Sequence, residues 1–373
     1  MHVLWLSPAN QLVREIKRFA NAFERAGATL ILPEPQMSPD FDIRRLLEKC
    51  PERPALIVHP EPYVALLPRG LTEVDIPTVG FHIDVYAYTH RRLFYSMLFD
   101  HVVLLHPGFE DTFRRAGHPS PLVLPFAADP TEFFDSDERR VYEIASVGRL
   151  HPNLYKSRME ILTALSREFR MNQWDRFVEF DKVPPVYRAS KIVINIPRDD
   201  YPIDVSMRFA EAMACGALFL TRAPTEMTTL GFEENVHYVA YRDRVEIPAI
   251  VRKYIADEPA RLRIARAGRD KVLREHTYDV RVAALLAHVN ARNEKLQAPA
   301  RSWTPSKVHL AYLDYFAANG AFDCAYRDLW AIAKGGAPEL WDALKLVSRS
   351  RASRLLSHVR FRGTSFWPSA PKP

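Results

Sequence analysis

Short apolar runs alternate with stretches of helical periodicity along the first third of the chain. Residues 2–6 read as a strand. Leu12, Ile16, Phe19 and Phe23 then fall on one helical face, and Gly27 ends that helix. Residues 29–32, 55–59, 77–82, 102–106 and 122–126 are further apolar runs of strand length, most of them separated by helical segments. Such a βαβ series predicts a parallel, doubly wound sheet.

The stretch 127–140, rich in Asp, Glu and Pro, reads as a linker with a hinge near 127–141. A second series follows. Residues 144–147, 177–180, 192–196 and 217–221 read as strands. Residues 156–169, 205–215, 247–256, 259–275 and 280–293 read as helices. The pattern divides the chain into 1–138, 139–295 and a helical basic tail, 296–373. Two α/β halves predict a cleft between them, with ligands at the carboxyl ends of the strands.

Composition changes this picture little. The 47% hydrophobic and 26% charged residues are ordinary for a globular chain. Three scattered cysteines offer no zinc spacing or disulfide framework, which points to a reducing compartment. No run approaches a membrane span or a signal-peptide core, so the expected location is cytoplasmic. The net charge of +6 is local: from Ala300 onward there are 11 Lys/Arg against 5 Asp/Glu. The remainder is neutral, which argues against nucleic acid as a partner. The chain lacks a Walker loop, a Gly-rich dinucleotide turn after the first strand and a G-x-S-x-G elbow. No metal cluster is expected, and Asp199-Asp200 reads as a turn.

The most informative block is the helix and strand from Arg208 to Thr221. Ala210, Ala212, Ala214 and Gly216 permit close backbone approach, and Glu211 is an acid in an otherwise apolar helix. A buried carboxylate needs a partner. A ribose diol and a salt bridge are both open.

Glu211-Ala-Met-Ala-Cys-Gly216 followed by a strand resembles the donor-site block of family-4-type, retaining GT-B glycosyltransferases. Other blocks fall in that family's order. Residues 76–82 (IPTVGFH) resemble its N-domain strand ending in His, and 124–133 (LPFAADPTEF) its inter-domain stretch. Residues 146–150 (SVGRL) resemble the opening of its donor domain, and 183–190 (VPPVYRAS) the turn before the next strand. Arg208, three before the Glu, and the closing His276-Thr-Tyr-x-x-Arg281 resemble the CgeB-like branch. Two positions depart from the pattern. Ile203 stands where the family has a first Glu, with Asp204 beside it, and Leu154 stands where it has a phosphate-binding Lys.

The resemblance implies a GT-B fold: two Rossmann-like domains facing each other, the first for acceptor and the second for donor. It implies transfer of a sugar from a nucleoside diphosphate-sugar to an acceptor hydroxyl, on a glycan, lipid-linked sugar, protein or small molecule. Retention and independence of metal and other cofactors are implied as well. Arg149, Lys156, Arg158 and Arg208, with the amides of Ser206, Met207 and Arg208 at a helix start, are the candidates for the diphosphate. Glu211 is the candidate for the ribose. His82 and Asp84 are the catalytic candidates, with His59 and His106 behind them. A non-catalytic nucleotide-sugar binder and a GT-B sugar-nucleotide epimerase are the alternatives. The tail interleaves basic and aromatic residues. It can pack on the first domain or lie on an anionic membrane.

Overall fold

The computed structural model describes residues 1–34, 38–62, 64–136, 138–150, 153–199, 205–223, 225–291, 297–335 and 338–360, with backbone alone over 351–360. The first sheet has six parallel strands, β1 (His2–Trp5), β2 (Thr29–Ile31), β3 (Leu56–His59), β4 (Thr78–His82), β5 (His101–Leu104) and β6 (Pro121–Val123), in the order β2-β1-β3-β4-β5-β6. Helices α1 (Arg14–Arg25), α2 (Ile43–Glu48), α3 (Thr89–Ser96) and α4 (Glu110–Arg115) accompany it. The second sheet has four parallel strands, β7 (Tyr142–Ala145), β8 (Ser190–Ile194), β9 (Leu218–Arg222) and β10 (Val239–Tyr241), in the order β10-β9-β8-β7. Helices α5 (Lys156–Leu165), α6 (Val183–Arg188), α7 (Met207–Ala214), α8 (Ile247–Ala256) and α9 (Glu258–Glu275) surround it. Then come α10 (Tyr278–Asn290), α11 (Pro305–Asn319), α12 (Phe322–Lys334) and α13 (Leu340–Arg360).

Strand alternation sets the layers of the first domain. Val79 and Phe81 of β4 join Val3 and Trp5 of β1 and Phe19 and Phe23 of α1 in one core. The alternate positions face the other way. A Cβ at Gly80 would lie 2.6 Å from the Phe99 ring, so only glycine fits there. On this side the covering layer comes from the C-terminal helices. Val102 and Leu104 of β5 pack with Leu313, Phe316 and Ala317 of α11. The Tyr312 hydroxyl donates to the Pro68 carbonyl and that of Tyr315 to the Leu66 carbonyl. Arg69 pairs with the fully buried Asp328 at 2.5 Å and with Asp40 at 3.0 Å. Over 305–350 the tail therefore completes the N-terminal domain.

Two segments tie the sheets together. The linker is more buried than its composition suggests: Ala127, Ala128, Asp129 and Phe133 are fully enclosed. Asp129 accepts from the amide and hydroxyl of Thr131 and meets Arg25 at 3.3 Å. The His276–Arg281 motif lies beside it. The Ala128 amide donates to His276 O, and the Tyr278 amide to Ala128 O. Thr277 caps α10, and Arg281 donates to Pro125 O. This motif fastens the chain where it returns to the first domain. Helix α10 then packs on α1 through Tyr278 and Phe19, and His288 bonds Ser120. The return precedes the boundary at 295 read from the sequence.

The second sheet departs from the expected strands at one place. Residues 177–180 form no strand, and Phe177 and Phe180 are exposed. The fourth strand is instead Val239–Tyr241, which the sequence reading passed over. Among the described residues no helix is long and apolar enough to cross a membrane.

Candidate functional site

The carboxyl ends of both sheets face each other, and side chains meet across the gap. Met207, the first residue of α7, lies against Arg14 and Arg18 of α1, with its sulfur 3.9 and 3.8 Å from their guanidinium nitrogens. Tyr86, after β4, has Arg198, after β8, over its ring at 5.5 Å. His106, after β5, lies 3.8 Å from Glu226, after β9.

On the second domain, the loop after β7 is the centre of a cationic cluster. Arg208 of α7 donates to Val147 O at 2.6 Å, Asn195 Oδ1 at 3.1 Å and Ser206 Oγ at 3.2 Å. Arg158 of α5 is buried. It donates to the Arg149 and Ile196 carbonyls and has its guanidinium over the Tyr155 ring at 4.0 Å. Burial, and then the Arg208 charge, bring its pKa down to about 9. Both guanidiniums crowd Gly148: a Cβ there would lie 2.7 Å from Arg208 Nη2 and 3.0 Å from Arg158 Nη1. A residue with a side chain would displace the cluster. Arg149 and Lys156 are exposed, Lys156 as the first residue of α5. Asp199 accepts from the Ser157 amide and so caps α5. Asp200, Ile203 and Asp204 lie outside the described residues. Among the described residues no group of His, Cys, Asp and Glu could hold a metal ion.

Glu211 has the partner that burial demands, and it comes from the other domain. Its Oε1 accepts from Arg18 Nη1 at 2.7 Å, with both side chains almost wholly enclosed. Arg18 Nη2 also meets Glu132 of the linker at 2.9 Å. Burial pushes the Glu211 carboxyl upward against the pull of Arg18, Arg14 and Arg208. Contact with a permanently charged guanidinium keeps it ionised. A cavity of about 480 Å³ opens beside this pair, lined by Arg14, Lys17, Phe134, Phe180, Pro184 and Arg188 among others.

The histidines fall differently from the sequence expectation. His82 lies in the N-terminal core, not at the cleft. Its Nδ1 is 3.1 Å from the Tyr95 hydroxyl, and Phe113 packs on its ring. Burial holds its pKa well below the usual value. His59 is likewise enclosed, bonded to Leu66 O, its pKa lowered by burial to about 4. His106 is the histidine beside the donor-side loops. Asp84 is exposed on the turn after β4, where it accepts from Tyr86 at 3.3 Å. The sequence reading missed Arg18, Tyr86 and Glu226, which no local motif marks.

Residues 139–287 match the family described as Glycosyl transferase-like. No curated protein matches the chain by sequence. Among solved structures, a glycosyltransferase of Rickettsia africae is similar with a TM-score of 0.57 at 10% identity, covering 79% of this chain and 99% of its own. Sucrose-phosphate synthase of Thermosynechococcus elongatus is similar with a TM-score of 0.54 at 11% identity, covering 78% and 100%. HepE of Anabaena, in complex with UDP and glucose, is similar with a TM-score of 0.51 at 14% identity, covering 77% and 99%. At these identities the likeness is one of fold, and the fold is GT-B. The CgeB-like branch receives no separate support.

Proposed function

We propose that this chain is a glycosyltransferase that moves a sugar from a nucleoside diphosphate-sugar to an acceptor hydroxyl without a metal ion. The observation that carries the reading is the pair of guanidiniums, Arg158 and Arg208, packed around Gly148 at the mouth of the second sheet. Their hydrogen-bond acceptors among the described residues are neutral carbonyl, amide and hydroxyl oxygens. Two like charges this close favour an anion between the loop and the cleft. The start of α7, where the first amides have no partner within the helix and carry partial positive charge, points to the same place. A diphosphate is the matching group. The complex of HepE with UDP is consistent with it.

The remaining parts follow α7. Glu211 lies four residues past Met207, about 6 Å along the axis. The cavity beside it, with Phe134 and Phe180, can enclose a nucleoside. On the facing domain Asp84 is an exposed carboxylate on the turn after β4, next to the Tyr86 that Arg198 covers. As the bond from the anomeric carbon to the diphosphate breaks, its electron pair leaves with the diphosphate, where Arg208 and Arg149 stabilise it. The acceptor oxygen forms the new bond and gives its proton to Asp84.

The test is incubation of purified protein with UDP-glucose in EDTA. Release of UDP is expected, and NMR of the freshly formed product reads whether the anomeric configuration is retained or inverted. Binding without release would instead favour a nucleotide-sugar binder, to which the Ile203 departure points. A changed sugar on an intact nucleotide would favour an epimerase. Absence of binding to any of a panel of nucleoside diphosphates overturns the reading. In the same assay Arg149→Ala should weaken nucleoside diphosphate binding by roughly 0.5–1.5 kcal/mol, about two- to tenfold, since its exposed charge is screened. Unchanged affinity would remove Arg149 from the site.

The reading includes contact of the C-terminal end with an anionic membrane. Trp330 and Trp341 are 63% and 73% exposed, and from Lys345 onward the sequence has seven basic and no acidic residues. Truncation after Ser350 should release the protein from phosphatidylserine vesicles and spare nucleotide binding. Equal vesicle binding by both forms would discard the contact.

A further inference from the structure

Glu61 and Arg92 form a charged pair that brackets the turn carrying Asp84. Glu61 lies just beyond β3 and Arg92 lies in α3. Glu61 Oε2 accepts from the Ile83 amide, at the start of the turn. Its Oε1 accepts from Arg92 Nη1, and Arg92 Nε donates to Ala87 O at 2.9 Å, at the end of the turn. The turn is closed by the Ala87 amide on Asp84 O at 2.9 Å. One pair of side chains thus fixes both ends of the five residues from Ile83 to Ala87.

The backbone around this pair is strained. Glu61 and Tyr88 both hold φ of 56°, in the left-handed region that non-glycine residues rarely enter. Such a conformation is costly for a non-glycine residue and persists only where its surroundings over-determine it. At Glu61 those surroundings are the amide and guanidinium it holds. A surface ion pair would not need them. Tyr86, at the centre of the turn, is the residue that Arg198 of the opposite domain covers.

We infer that Glu61 and Arg92 are positioning residues, which hold the Ile83–Ala87 turn so that Asp84 faces the acceptor hydroxyl and Tyr86 faces the donor domain. This rests on the glycosyltransferase reading and extends it. Neither residue touches substrate: Glu61 acts through the Ile83 amide and Arg92 through Ala87 O. Chemistry and donor binding are therefore separable. The diphosphate groups lie on the other domain and do not depend on this turn.

The test uses the full chain, with UDP-glucose as probe. Glu61→Gln keeps an acceptor for the Ile83 amide and removes the charge that orders Arg92. It should lower kcat for UDP release at least tenfold, with KM and UDP affinity within twofold of wild type. Amides 83–87 should lose hydrogen-exchange protection. Asp84→Asn should also lower kcat, and the Glu61→Gln/Asp84→Asn double variant should be no slower than Asp84→Asn alone, as for residues acting as a unit. A purely stabilising pair would lower the melting temperature and leave kcat per folded molecule unchanged. Multiplicative losses in the double variant, or unchanged exchange at 83–87, would overturn the inference. If wild type binds no nucleoside diphosphate, the glycosyltransferase reading fails first, and the exchange result still decides whether the pair holds the turn.

Discussion

Arg208→Ala is expected to lower affinity for nucleoside diphosphates by roughly 1.5–3 kcal/mol, about ten- to 150-fold, while the protein remains folded. The range is that of hydrogen bonds to a charged group. Arg208 is well placed to show the full effect. It is half-buried, where screening is weaker than at Arg149, and three neutral acceptors fix its orientation before any ligand arrives. Of its partners, Val147 and Ser206 are only partly buried and can bond water after truncation, while the buried Asn195 keeps Thr221 Oγ1 as the acceptor for its Nδ2. Arg208→Lys separates charge from geometry. A lysine keeps the charge but loses the fork that spans Val147 O and Asn195, and it should recover only part of the affinity. Isothermal titration with UDP and uridine makes the test specific. UDP should lose affinity and uridine should not. Equal losses for both would mean that the site had collapsed, and no loss for either would place the diphosphate elsewhere.

Much of this arrangement was legible in the sequence because it is local. Apolar runs of four to six residues alternating with helical periods report the parallel sheets directly. Gly148, Arg149 and Arg208 stand at strand ends and at a helix start, where position along an element already implies the cleft. What could not be read depends on long-range packing. His59 and His82 end strands, but which face they take is set by the helix that covers the sheet. That cover, α11, lies more than 200 residues away. The tail was ambiguous for the same reason. Tyr312 and Tyr315 read equally well as an interfacial stripe or a core until Pro68 O and Leu66 O are seen to receive their hydroxyls. Residues 177–180 have the composition of a strand, but the sheet takes Val239–Tyr241 instead. The two phenylalanines remain exposed, with Phe180 lining the cavity between the domains.

Glu211 joins both kinds of evidence, and breaking its ion pair has the largest expected effect on stability. Sequence reasoning required a partner for it and left open a ribose or an ion pair. The structure supplies Arg18, 193 residues distant, at 2.7 Å. Removing one member of a buried pair costs about 3–5 kcal/mol, because the other charge stays in low dielectric without compensation. Glu211→Gln should fall at the low end, about 3 kcal/mol, since Glu132 continues to face Arg18. Arg18→Met removes the cation from between Glu211 and Glu132 and should cost more. The ribose assignment makes a further demand. A nucleoside diphosphate can engage Glu211 only by sharing its carboxylate with Arg18. Glu211→Gln should then also weaken UDP binding, measured per folded molecule, by a few-fold beyond its effect on melting temperature. 2′,3′-Dideoxy-UDP should bind wild type and variant alike, because the hydroxyls that distinguish them are gone. A variant that melts earlier but binds UDP with wild-type affinity would make Glu211 an inter-domain ion pair alone. The diphosphate assignment of Arg208 would stand, and the ribose would have to be held by residues that line the cavity itself, such as Arg14, Lys17 or Arg188.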